Sequence, residues 1–128
     1  MPFEHQKEAR TFRVLMGQPV DHFSPSTAAL QLTLIQEEFR ELVDAHEVAI
    51  SHLTNKRARE HALKELTDLV YVCWQYAAAA GWDLDEALTR VHESNLSKLD
   101  DDLRPIKRED GKVLKGPNYK PANLIDLV

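Results

Sequence analysis

Glu37-Glu38-Phe39-Arg40-Glu41-Leu42-Val43 and, farther along, Glu65-Leu66-Thr67-Asp68-Leu69-Val70 are the stretches on which the fold turns. Each sets carboxylates three residues apart inside an apolar rhythm. That spacing stacks side chains on one side of an α-helix, with Cβ atoms roughly 5–6 Å apart. The chain therefore reads as all-α, with an acidic step on each of two long helices. Packed antiparallel, those helices would bring Glu38, Glu41, Glu65 and Asp68 together, with Glu37 beside the first step. Oxygen ligands on rigid supports suit a small hard dication, Mg2+ with Mn2+ as a substitute, and a metal so held ordinarily meets a phosphate.

Working outward, Ser24-Pro25-Ser26-Thr27 starts the first of these helices, with Ser26 or Thr27 as cap, and the helix runs to about residue 49. Its expected core stripe is Ala28, Leu32, Ile35, Phe39, Leu42 and Val43, while Glu37, Glu38 and Glu41 share the other side with Leu30, Leu34 and Val48. A polar connection over 51–56 leads to a second helix over 57–80. There the expected core is Ala62, Leu63, Leu66, Leu69, Val70, Cys73, Ala77 and Ala80, and Glu65 and Asp68 fall on an adjoining strip with His61, Val72 and Ala79. One Glu-x-x-Glu step also suits a solvated helix face, which is the competing reading. Two observations oppose it. Both steps border apolar residues, and clustered like charges are destabilising without a cation. His61 is either a surface histidine or a support for Glu65.

Toward the N-terminus, Phe3, Ala9, Phe12, Leu15 and Met16 outline a helix over 3–16, stopped by Gly17-Gln18-Pro19. In the loop that follows, Phe23 either plugs onto the core or covers a nucleobase. Gly81 is a helix-ending residue, and Asp83-Leu84-Asp85-Glu86 has the form of a capping box. It opens a helix to about residue 97 that is expected to bury Leu84, Ala87, Leu88 and Val91. Trp74 and Trp82 are assigned to a helix or subunit interface. Beyond Leu99 the character changes. Arg104, Lys107, Arg108, Lys112 and Lys115 concentrate around the Asp110-Gly111 turn, predicting a small hairpin or irregular flap.

The 128 residues suit a single domain, with a helical core over about 3–99 and a basic tail over about 100–128. A net charge of −5 without long like-charge runs argues against a nucleic-acid polymer as partner. Cys73 is the only cysteine, which leaves neither an internal disulfide nor a thiolate metal site. No leader-like start and no apolar run of membrane-spanning length is visible, so the expectation is a cytoplasmic protein without a membrane partner.

The chain resembles the all-α nucleoside triphosphate pyrophosphohydrolases, the MazG-like group that includes dimeric dUTPases and phosphoribosyl-ATP pyrophosphohydrolases. The likeness covers roughly residues 26–121. It is carried by Glu37-Glu38-x-x-Glu41, by Glu65-Leu66-Thr67-Asp68, by Ser94-Asn95-Leu96-Ser97-Lys98, and by the tail Arg108-Glu109-Asp110-Gly111-Lys112-Val113-Leu114-Lys115-Gly116-Pro117-x-Tyr119. Two positions depart from the pattern, Leu96 where methionine is expected and Leu103 within an Asp-Gly-type turn.

The resemblance implies a four-helix-bundle-type fold with a C-terminal tail, a homo-oligomer of at least two copies, and Mg2+-dependent cleavage of (deoxy)nucleoside triphosphates to monophosphate and pyrophosphate, in a housekeeping or pool-sanitising role. It makes Glu38, Glu41, Glu65 and Asp68 metal ligands and Glu37 a further ligand or the general base. Asn95, Lys98, Lys112, Lys115 and Tyr119 become the nucleotide-side residues. Phosphoribosyl-ATP as substrate and a non-catalytic helical interaction module are the alternatives.

Overall fold

A computed structural model describes residues 4–128. Residue 3, the expected start of the first helix, lies outside them. Four α-helices follow in order: α1 (His5–Leu15), α2 (Pro25–Ser51), α3 (Lys56–Ala80) and α4 (Leu84–Leu96). An antiparallel hairpin of β1 (Ile106–Lys107) and β2 (Val113–Leu114) and a 3-10 turn at Ile125–Leu127 complete the chain. The fold is all-α with a hairpin tail. The elements sort into two compact units, one ending at Trp82 and the other running from Asp83 to Val128. Among the described residues no helix is long and apolar enough to cross a membrane.

In the first unit α3 is the central element, packed against both α1 and α2. Helix α2 is capped by Ser24 rather than by Ser26 or Thr27. Ser24 Oγ accepts from the Thr27 amide at 3.3 Å and Thr27 Oγ1 accepts from the Ser24 amide at 3.2 Å. Pro25 occupies the first helical position, where its missing N–H costs nothing. Only residues 52–55 separate α2 from α3, so the chain folds straight back on itself. Asn55 Oδ1 caps α3 by accepting from the Arg57 and Ala58 amides at 3.0 and 3.2 Å.

The far end of α3 is tied to the α1–α2 loop. The Asp21 and His22 amides donate to the Ala78 and Ala79 carbonyls at 3.2 and 2.7 Å, which satisfies groups that a helix end leaves open. Gly81 ends α3 at φ +83°, and a Cβ there would stand 2.9 Å from the Asp21 Cα. Helix α1 is held through the buried Arg13, whose Nε donates to the Pro19 carbonyl at 2.6 Å, and through Gln75, whose Nε2 donates to the Ala9 carbonyl at 3.3 Å. Trp74 is buried against His5, and Phe23 lies in an aromatic cluster with Trp82 and Tyr76.

The core faces differ in part from the expected stripes, of which Ala77 is buried and Ala28, Ile35, Leu42, Ala62, Leu69, Cys73 and Ala80 are half-buried. Helix α2 buries Gln31, Ala45 and Ala49, with Leu34, Ile35, Glu38 and Leu42 half-buried along the same strip. Helix α3 buries Ala58, Glu65, Gln75 and Ala77 through Ala79. The expected core residues Leu32, Phe39 and Val43 are 50%, 55% and 36% exposed, and Leu63, Leu66 and Val70 are 63%, 45% and 47% exposed. The covered strip carries the small Ala45, Ala49 and Ala58 together with Glu38 and Glu65, and these six bulkier residues turn outward.

The second unit is organised along α4. Asp83 Oδ1 caps it by accepting from the Glu86 amide at 3.0 Å. Leu84 and Ala87 are half-buried as expected, but Leu88 and Val91 are exposed, because the covered side of α4 is the one bearing Ser94. Gly111, at φ +90°, makes the hairpin turn, with the Lys112 amide donating to Asp110 Oδ1 at 3.1 Å. The preceding bend is formed around Asp100, whose Oδ1 accepts from the Asp102 and Arg104 amides, both at 2.9 Å, while Leu103 adopts φ +60°.

Candidate functional site

Glu38 lies almost as far before the α2–α3 connection as Asp68 lies after it, so an antiparallel helix pair sets them nearly level with each other. Carboxylate oxygens of Glu38, Glu65 and Asp68 all come within 4.8 Å of one another. Glu65 is buried, and the other two are half-buried. Glu38 Oε2 and Glu65 Oε2 are enclosed yet accept no hydrogen bond. Burial pushes the Glu38 carboxyl above its ordinary range, and Glu41, Asp68 and Glu65 add to that shift. Glu41, one turn farther along, is thus an electrostatic neighbour of the cluster though itself exposed. Glu37 is exposed and outside the group of three.

A lysine and a histidine border the acids. Lys64 Nζ is 2.5 Å from Asp68 Oδ2, and His61 Nδ1 is 3.7 Å from Glu65 Oε1. Neither reaches the two orphaned oxygens. A desolvated carboxylate oxygen without a donor is costly, and a proton or a metal ion relieves the cost. An all-oxygen donor set of this kind fits a hard dication such as Mg2+.

The remaining candidates belong to the second unit. Asn95 is exposed in the last turn of α4 and Lys98 follows it, half-buried. Lys115 Nζ sits over the Tyr119 ring, 4.8 Å from its centroid. Lys112 is exposed at the hairpin turn, its carbonyl accepting from the Arg108 amide at 2.8 Å. The sequence reading gave no role to Ser94 and Ser97, which hydrogen-bond to the backbone of Lys120. Their partners are main-chain groups 26 and 23 residues away, so no side-chain pattern announces them. Arg90 and Asp126, likewise unassigned, form a two-pronged ion pair at 2.6 and 3.0 Å.

One protein family, described as phosphoribosyl-ATP pyrophosphohydrolase, matches residues 9–95. The match takes in all five acids and Asn95, and it stops before Lys98 and the tail. No curated protein matches the chain.

Proposed function

The chain belongs to the phosphoribosyl-ATP pyrophosphohydrolase family, within the MazG-like superfamily, and on that premise we propose that it hydrolyses (deoxy)nucleoside triphosphates between the α- and β-phosphates, releasing monophosphate and pyrophosphate. Pyrophosphohydrolysis of a nucleotide is the family's chemistry. The choice of free triphosphates rests on the tail, which lies beyond the matched region and carries the basic residues of the MazG-like pattern. The family match itself favours the second reading, phosphoribosyl-ATP as substrate.

The single observation that carries the metal-dependent reading is the pair of enclosed, unpartnered oxygens on Glu38 and Glu65. In this reading Glu38, Glu65 and Asp68, joined by Glu41, would hold Mg2+, which would supply charge neutralisation at phosphate and a lowered water pKa. Glu37, exposed beside the cluster, takes the proton of the attacking water. The water oxygen bonds to phosphorus as the bond to the bridging oxygen breaks, and pyrophosphate leaves with that electron pair. Lys98, Lys112 and Lys115 meet phosphate charge, while Asn95 and Tyr119 orient the nucleotide. The active form is a homodimer or a dimer of dimers, consistent with the outward apolar stripes of α2 and α3.

The test is a panel of deoxy- and ribonucleoside triphosphates, dUTP and phosphoribosyl-ATP, with Mg2+ or Mn2+, scored for pyrophosphate and monophosphate. Turnover of a free triphosphate above phosphoribosyl-ATP supports the first reading, and the reverse order selects the second. Release of orthophosphate alone, or no turnover, would remove both. Glu37→Gln should lower kcat by about 10²–10⁴ while leaving Mg2+ binding intact.

A further inference from the structure

We infer that Ser94 and Ser97 are positioning residues that hold the nucleotide-side tail against the end of α4 through both backbone groups of Lys120. The inference rests on the proposed function for its substrate and on the second unit's own geometry for its mechanism. Ser94 is 9% exposed, and its Oγ donates to the Lys120 carbonyl at 2.7 Å. Ser97 Oγ accepts from the Lys120 amide at 2.9 Å and donates its own proton to the Ser94 carbonyl at 2.6 Å. A hydroxyl has one proton. Because Ser97 gives it to the turn of its own helix, its lone pairs are left for the Lys120 N–H.

The clamp is continued on both sides. At Gly116 the tail passes so close to the helix end that a Cβ would stand 2.4 Å from the Lys98 carbonyl oxygen. Farther along, Arg90 donates to the Asn123 carbonyl at 3.0 Å and pairs with Asp126. The anchors on the tail therefore rise from 116 to 126 while their partners on α4 and just beyond it descend from 98 to 90, and the two segments run antiparallel. Tyr119 lies between the first two anchors, with the Lys115 ammonium resting on its ring. Asn95 and Lys98 stand on the turn that makes the clamp. The Ser-Asn-x-Ser-Lys motif thus divides its work: the serines fix the tail's backbone, and Asn95 and Lys98 are left free for the nucleotide.

The experiment measures steady-state kinetics of Ser94→Ala/Ser97→Ala on the fastest substrate of the nucleotide panel, beside wild type, with trypsin cleavage after Lys112 and Lys115 as a readout independent of turnover. The expected result is a KM raised about tenfold with kcat within about twofold, and faster cleavage, as for loss of one or two net hydrogen bonds. Ser94→Thr/Ser97→Thr, which keeps both hydroxyls, should restore KM toward wild type. Gly116→Ala, with both serines intact, should raise KM in the same way and serves if the double variant folds poorly. Unchanged KM in the alanine and Gly116→Ala variants, or a fall in kcat that tracks Tm alone, would overturn the inference while leaving the enzyme reading in place. Absence of turnover by wild type would instead strike the proposed function, and the substrate role of the clamp with it.

Discussion

At the scale of single residues, the acidic cluster sets like charges together in the folded state, and a bound cation would offset them. Glu38 holds its proton more tightly when folded than when unfolded, because burial and the charges of Glu41, Asp68 and Glu65 all disfavour its ionised form. The sign follows. Metal-free stability is greatest below the ordinary glutamate range and declines as pH rises through the interval up to the raised value. On the proposed metal-dependent reading, Mg2+ would compete with that proton, so the stabilisation it gives should grow over the same interval. At Mg2+ ten times its Kd the gain is about 1.4 kcal/mol. Glu38→Gln removes the like charge but keeps the shape. Thermal melts across pH should show it with a higher metal-free Tm, a flatter pH dependence and little response to Mg2+. A variant that keeps the full Mg2+ response would take Glu38 out of the metal site. The sequence pattern placed Glu38 and Glu65 on the border of the core but could not say that two of their oxygens are enclosed without a donor, because that depends on how α2 and α3 pack around them.

At the scale of elements, helix ends were the most legible part of the chain. Gly81 and Asp83 stop one helix and start the next as their chemistry requires. Ser24 was harder to single out, since three hydroxyls crowd one start, and Pro25 decides among them by fixing the first helical position. The α1–α2 loop explains why Gly81 does more than end a helix. Its left-handed φ and the nearness of the Asp21 backbone both exclude a side chain. Gly81→Ala should therefore destabilise the protein by about 1–2 kcal/mol from the backbone conformation alone, and by more as the Asp21 and His22 hydrogen bonds to α3 are strained. Chemical denaturation with an unchanged m-value would measure it, and a loss under about 0.5 kcal/mol would mean the loop yields freely. Ser94 and Ser97 mark the limit of legibility, since a hydroxyl whose partner is a distant carbonyl or amide leaves no trace in residue pattern.

At the scale of the whole molecule, the expected core stripes are covered by this chain only in part. Leu32, Phe39 and Val43 on α2 and Leu63, Leu66 and Val70 on α3 keep helical spacing, yet each is at least 36% exposed. Periodicity reports that a face wants burial. It carries no information on whether the same chain or a second copy supplies the cover. Large apolar side chains exposed at helical spacing on two neighbouring helices suit a covered face, and a second α2–α3 pair set against the first would complete a four-helix arrangement with both acid strips kept within their own hairpins. Phe39→Asp and Val70→Asp would place charge in such a seam without replacing Glu38, Glu65 or Asp68. Light scattering after size exclusion should give a dimer or larger assembly for wild type and a monomer for each variant, with the monomers melting at lower temperature because burial of each large apolar side chain is worth about 1.5–3 kcal/mol. A monomeric wild type with an unchanged melt in both variants would show that these faces serve something other than self-association. A monomer that still gains Tm from Mg2+ would further show that each α2–α3 hairpin builds its metal site alone, leaving the seam to stability and to whatever the nucleotide requires from both copies.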